Sequence, residues 1–251
     1  MRIGFSVPIK NIAPDSRIRN CLASLADQDP PAEIVVVGYD PPDPEALAKI
    51  CVEYGVPYIG LRVYSERPEA SWSMGTASNI GIRRLDTDFA FMLGVDLVFS
   101  PNFTHVVAEE YEKNPAAFIV CRHREMPETR CLPVIEGFAP QDYPLSWHHQ
   151  AALGMGMERW REIRGFDERY VGSCMADNDL VRRAKAAGLE VVDVQGRTEV
   201  LHQWHGRREN QGLPDMIDLN APPNGEDWGT TNRTVNHGCY GLAWIEEVAV
   251  K

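Results

Sequence analysis

A chain of 251 residues, 44% hydrophobic and 24% charged, carries enough apolar material for a sizeable core, as one large domain or two tightly packed halves. A net charge of −11 excludes a broad basic surface for nucleic acid or an anionic membrane, although the local run His205-Gly206-Arg207-Arg208 could hold a phosphate. No apolar stretch approaches the roughly 20 residues that cross a bilayer, and the N-terminus reads as a strand, so a cytoplasmic protein without membrane insertion is expected.

The first hundred residues alternate between short apolar runs and amphipathic segments. Residues 2–9 and 33–39 read as strands, the second a continuous β-branched run, while 15–28 place Ile18, Cys21, Leu22 and Leu25 at helical spacing. Residues 43–55 open on Asp43 before Pro44 and close on Gly55, the punctuation of a helix, and 58–64 follow as a strand. Another helix is expected over 74–86, leading into the buried strand 89–96. Such β-α repetition predicts an α/β fold, a mostly parallel central sheet flanked by helices. Ligands bind such sheets beyond the carboxyl ends of the strands, where Asp96 falls; the same position also suits an aspartate capping the next turn.

The second half has a different texture. Residues 116–124 read as a strand, followed by a loop-rich aromatic region from Glu125 to His149, and a segment of that length without periodicity is commonly functional. A helix over 179–187 stops at Gly188 and leads into a strand, and the tail after His205 is rich in Asn, Gly and Pro. Six widely spaced cysteines without a C-x-x-C pair suggest reduced core residues rather than a zinc knuckle or disulfide framework.

Three separated stretches carry a likeness to one family. The opening strand, helix and second strand (SVPIKN…RIRNCLASLADQDPPAEIVVVGYD), the segment ASNIGIRRLDTDFAFMLGVDLVFSPNF and the segment GMGMERWREIRGFDERYVGSCMADNDLVRRAKAAG together resemble the nucleotide-sugar-dependent glycosyltransferases of the GT-A (Rossmann-like) fold, of the family 2-like and galactosyltransferase-like groups. The resemblance spans about the first 205 residues. It implies a single GT-A domain over 1–251, with a nucleotide-sugar-binding half to residue 100 and an acceptor-binding half over 101–251 that ends in a metal-ligand tail.

Such transferases stabilise a diphosphate leaving group, commonly with a divalent cation held by a strand-end carboxylate. Asp96 matches the second aspartate of the D-x-D signature, while Gly94 replaces the first. The resemblance puts a further metal ligand at His205 and an auxiliary one at His202, and two imidazoles favour manganese over magnesium. H-x-x-H alone is more often a pair of surface or core histidines, and it is the joint occurrence with Asp96 that points to a metal.

Asp177 matches the aspartate assigned as catalytic base in inverting members, with Ala176 in place of the preceding glutamate; Asp177 and Asp179 could also simply cap a helix. Pro8, Lys10 and Asp40 lie where the family cradles base and ribose, Gly38 standing at the usual acidic position after the second strand. Asn79 fits an R-N pair whose arginine is Ser78, which leaves Arg207, Arg208 or Arg233 to face the diphosphate. Trp147 could stack on a sugar of a carbohydrate or other hydroxyl acceptor, or serve the core.

The expected function is therefore metal-dependent, inverting transfer from a nucleotide diphosphate sugar to an acceptor hydroxyl. The rivals are a sugar-phosphate nucleotidyltransferase, for which VPIKNIAPDSR lacks the glycine-rich loop, and a degenerate sugar- or nucleotide-binding module, which Gly94 and Ala176 would suit.

Overall fold

The computed structural model describes residues 1–10, 16–65, 72–127, 143–146, 152–171, 175–205, 223–238 and 241–249. The first four strands are β1 (Ile3–Ile9), β2 (Glu33–Tyr39), β3 (Tyr58–Ser65) and β4 (Phe89–Leu93), connected through helices α1 (Ser16–Ala26), α2 (Pro44–Glu53) and α3 (Met74–Arg84). Asp43 caps α2 by accepting from the Ala46 amide at 2.9 Å, with Pro44 opening the first turn, as the sequence punctuation implied. Ser73 caps α3 in the same way through the Thr76 amide.

After β4 come β5 (Leu97–Phe99), α4 (Phe103–Lys113), β6 (Ala117–Cys121) and β7 (His123–Glu125). Then follow β8 (Ala152–Gly156), α5 (Met157–Glu162), α6 (Ala176–Ala186), β9 (Glu190–Asp193), β10 (Val200–His202), β11 (Arg233–Asn236) and β12 (Leu242–Val248). Nine strands form one sheet in the order β11-β12-β3-β2-β1-β4-β8-β6-β9, and β5-β10-β7 form a second, small sheet.

The block β3-β2-β1-β4 is parallel, as the β-α repetition requires. Antiparallel pairs flank it, β12 on β3 at one side and β8 on β4 at the other, so the sheet is mixed with a parallel centre. Alternation along the strands supplies both faces with apolar side chains. Phe89, Phe91 and Leu93 join α1, α2 and α4 in one core, whereas Ala90 and Met92 join α3, α5 and α6 in the other. In β8 the glycine has a packing reason: a Cβ on Gly154 would lie 2.5 Å from the Phe91 ring.

Three details differ from the sequence expectation. Strand 89–96 ends at Leu93, and Gly94, Val95 and Asp96 form a turn into β5. The strand expected over 116–124 divides into β6 and β7, which belong to different sheets and carry the chain on to Glu125. The helix expected from Asp179 starts earlier, at Ala176. Cys21, Cys51 and Cys121 are buried free thiols, as expected of core cysteines.

Candidate active site

The small sheet explains why residues far apart in sequence meet. In β10, His202 is paired laterally with Leu97 of β5 on one side and Glu125 of β7 on the other. Leu97 directly follows Asp96, whose carbonyl is held by the Gln203 amide at 2.8 Å. Gln203 is anchored in turn to α1, accepting from Asn20 Nδ2 at 2.8 Å and donating to the Arg17 carbonyl at 3.1 Å. The turn carrying Asp96 and the segment carrying both histidines are thus fixed to each other.

Two imidazoles converge on one carboxylate oxygen. Asp96 Oδ2 lies 3.3 Å from His202 Nε2 and 3.0 Å from His205 Nε2. The other nitrogen of His202, Nδ1, stands 2.8 Å from Glu125 Oε2, and Glu125 Oε1 lies 2.9 Å from His123 Nε2. Asp96, His202 and His205 present ligand atoms all within 4.8 Å of one another, as do His123, Glu125 and His202, so the two groups share an imidazole.

The electrostatics favour positive charge between the carboxylates. Burial works against ionisation of Asp96, but the hydrogen bonds and charge of His202 and His205 outweigh it and hold the carboxyl well below the usual range. Burial likewise opposes charge on His202, yet Asp96 and Glu125 reverse that and push its pKa up to about 9. His123 behaves oppositely: burial dominates and its pKa falls, so this ring stays neutral beside Glu125. One carboxylate with two imidazoles is a donor set that suits manganese or a related transition metal.

Gly94 is tied to this geometry. A Cβ there would lie 2.6 Å from Asp96 Oδ1, so an aspartate at the first D-x-D position would force the Asp96 carboxylate to turn. At Gly38 a Cβ would lie 2.2 Å from the Tyr58 hydroxyl, so any side chain there would require the Tyr58 ring to move. Asp40, two residues on, takes a left-handed φ of 50° at the exposed end of β2. Pro8 is buried in β1 and pairs with Val37; the register with β4 ends at Ser6, so the missing N–H of Pro8 falls beyond that ladder. Lys10 is partly exposed just past the strand.

Asn79 is bonded to a neighbouring loop. It is fully buried, its Nδ2 donating to the Phe166 carbonyl at 2.9 Å and Glu168 Oε1 at 3.0 Å, its Oδ1 accepting from the Phe166 amide at 2.8 Å. Its amide is spent on holding the loop Gly165–Glu168 against α3. Ser78, beside it, is equally buried and donates to the Met74 carbonyl. Arg233, a candidate for the diphosphate, has its guanidinium on both oxygens of buried Glu168, at 2.7 and 2.6 Å. Arg207, Arg208 and Trp147 lie outside the described residues.

Asp177 is buried in the first turn of α6, whose N-cap is Met175, in the left-handed region and without a side-chain cap bond. Asp179 lies in the same first turn, and its carboxylate pairs with Arg182 at 2.8 Å and Arg183 at 2.7 Å. Arg183 reaches on to the carbonyls of Ile163 and Gly165, which fastens α6 to the loop that Asn79 holds.

Sequence reasoning missed Glu125 and His123. The available signal was H-x-E, a spacing that puts both side chains on one face of a strand once β7 is recognised.

Solved structures share the fold. S. aureus TarS residues 1–349 in complex with UDP-GlcNAc is 16% identical, with a TM-score of 0.62 over 83% of this chain and 60% of that one. The same fragment with UDP gives 14% identity and a TM-score of 0.60 over 81% and 61%. A further S. aureus TarS structure gives 14% and 0.58 over 81% and 37%, so this chain spans less than two thirds of these structures. No curated protein sequence matches significantly. No helix among the described residues is long and apolar enough to cross a membrane. The family profile described as glycosyl transferase family 2 matches residues 6–145, more than half of the sequence and inclusive of Asp96, and on that match the chain belongs to glycosyl transferase family 2.

Proposed function

We propose that this protein transfers a glycosyl group from a nucleotide diphosphate sugar to an acceptor hydroxyl, inverting at the sugar carbon, with a divalent cation held by Asp96, His202 and His205. The observation that carries the metal reading is the convergence of His202 Nε2 and His205 Nε2 on one oxygen of Asp96. Manganese fits this donor set better than magnesium, and when bound it would neutralise charge on the departing diphosphate.

The remaining chemistry belongs to the chain's own side chains. Asp177, buried at the start of α6, is the carboxylate that would take the acceptor hydroxyl's proton as that oxygen attacks. Pro8, Lys10 and Asp40, at or near the carboxyl ends of β1 and β2, would border the nucleotide; Asn79 would serve it indirectly, through the loop it fixes. Residues 1–251 act as one unit in this reading, with the nucleotide on the first hundred and the acceptor, a carbohydrate or another hydroxyl compound, on the rest. The TarS complexes hold UDP and UDP-GlcNAc, which makes uridine nucleotides the first donors to test.

The test is calorimetry of UDP and GDP binding, with manganese and with EDTA, on the wild type and on Asp96→Ala. Manganese should tighten binding of the preferred nucleotide in the wild type and make no difference in the variant. Equal wild-type affinity in manganese and in EDTA would remove the metal from the proposal.

A further inference from the structure

His202 has two ring nitrogens and two carboxylate neighbours, and only one nitrogen can serve a metal at Asp96. Its Nε2 faces Asp96 Oδ2 and its Nδ1 faces Glu125 Oε2. A neutral imidazole carries its single N–H on the side where an acceptor holds it. We propose that Glu125 is a positioning residue for the metal centre: by accepting the Nδ1–H of His202 at 2.8 Å, it aims the Nε2 lone pair at the cation beside Asp96. This inference rests on the metal reading above and extends it to a residue outside the ligand set.

Three features of the fold support the role. Glu125 stands directly beside His202 in the β7–β10 ladder, so strand pairing sets the contact rather than a chance of two mobile side chains. Its second oxygen is occupied: His123 Nε2 lies 2.9 Å from Oε1, which fixes the carboxylate plane from the far side. His123 is 7% exposed, so the packing around its ring holds this contact in place. The resulting line His123–Glu125–His202–Asp96 is the arrangement in which an outer carboxylate keeps a metal-binding imidazole in one tautomer and makes it a better donor. Asp96 cannot do the same work, since a metal at this site would take the oxygen that faces His202.

Manganese affinity should be measured by calorimetry for the wild type, Glu125→Ala, Glu125→Gln and Asp96→Ala, with melting temperatures alongside. Glu125→Ala should bind roughly 10-fold more weakly or worse, the usual effect of removing an outer partner, at an unchanged melting temperature. Glu125→Gln should recover part of the loss, because its amide oxygen still accepts from Nδ1–H. With zinc as a diamagnetic probe, ¹⁵N spectra should show wild-type His202 bonded through Nε2 with a slowly exchanging Nδ1–H. Glu125→Ala should lose that signal, which a purely structural role would leave in place. If Asp96→Ala abolishes manganese binding while Glu125→Ala binds as the wild type does, the positioning role is overturned and the metal centre stands. If the wild type binds no manganese, both are overturned.

Discussion

Replacing Asn79 by alanine separates a ligand contact from a structural fastening. The substitution deletes three hydrogen bonds, two to the backbone of Phe166 and one to Glu168. Two of the partners keep others: the Phe166 carbonyl still accepts from Asn224 Nδ2 at 2.6 Å, and Glu168 still holds Arg233. The Phe166 amide is left buried and without an acceptor. An orphaned buried donor costs about 1–3 kcal/mol and each of the two ordinary lost hydrogen bonds about 0.5–1.5, so the sum is about 4 kcal/mol. For a chain of this size that corresponds to a fall of roughly 8–16 °C in melting temperature. Thermal unfolding followed by circular dichroism, paired with calorimetry of UDP binding well below the transition, reads both consequences. Nucleotide affinity should stay within about threefold, since the amide is turned into the protein. A tenfold loss of affinity with an unchanged melting temperature would refute this reasoning and make Asn79 a direct nucleotide contact.

Two further outcomes are expected. Asp177→Asn should keep donor affinity and melting temperature while turnover at saturating donor falls by about 100-fold or more; near wild-type turnover would end the base assignment. His237 follows β11 fully buried, with neither ring nitrogen bonded among the described residues, and burial together with Arg233 pushes its pKa down to about 4. A histidine depressed in this way contributes nothing above its unfolded pKa of about 6.5 and costs stability as pH falls toward 4, because only the unfolded chain takes up the proton. The wild type should therefore lose about 2 kcal/mol more than His237→Gln between pH 8 and pH 5 in urea unfolding, and equal losses would show that His237 titrates normally.

What the sequence disclosed and what it hid follow from how local each signal is. The strand Glu33–Tyr39 and the cap at Asp43 were legible because a β-branched run and an Asp-Pro step carry their own reasons. Asp96, His202 and His205 were found through resemblance, and the structure brings all three together. Glu125 stayed hidden because its role depends on β7 lying against β10, 77 residues away. Strand β8, with Gly154 and Gly156, reads as a poor strand until the phenylalanines packed on it are known. Asn79 was placed at a nucleotide because the pattern gives its neighbours in sequence, whereas its bonds go to a loop 87 residues on.

The return of β12 to β3 has a consequence for the order of events during synthesis. Tyr64 donates to Glu246 across a separation of 182 residues, and the ladder between the two strands runs from Ala243–Ser65 to Val248–Gly60. Until the ribosome has delivered β12, the outer edge of β3 has no partner in this ladder, even though the parallel block and its helices are already complete in the emerging chain. Contacts of such long range form slowly, and a bare strand edge invites pairing with another chain. The nascent first half thus has a window in which it is nearly folded and adhesive at one side, and a stall or truncation before residue 242 would hold it there.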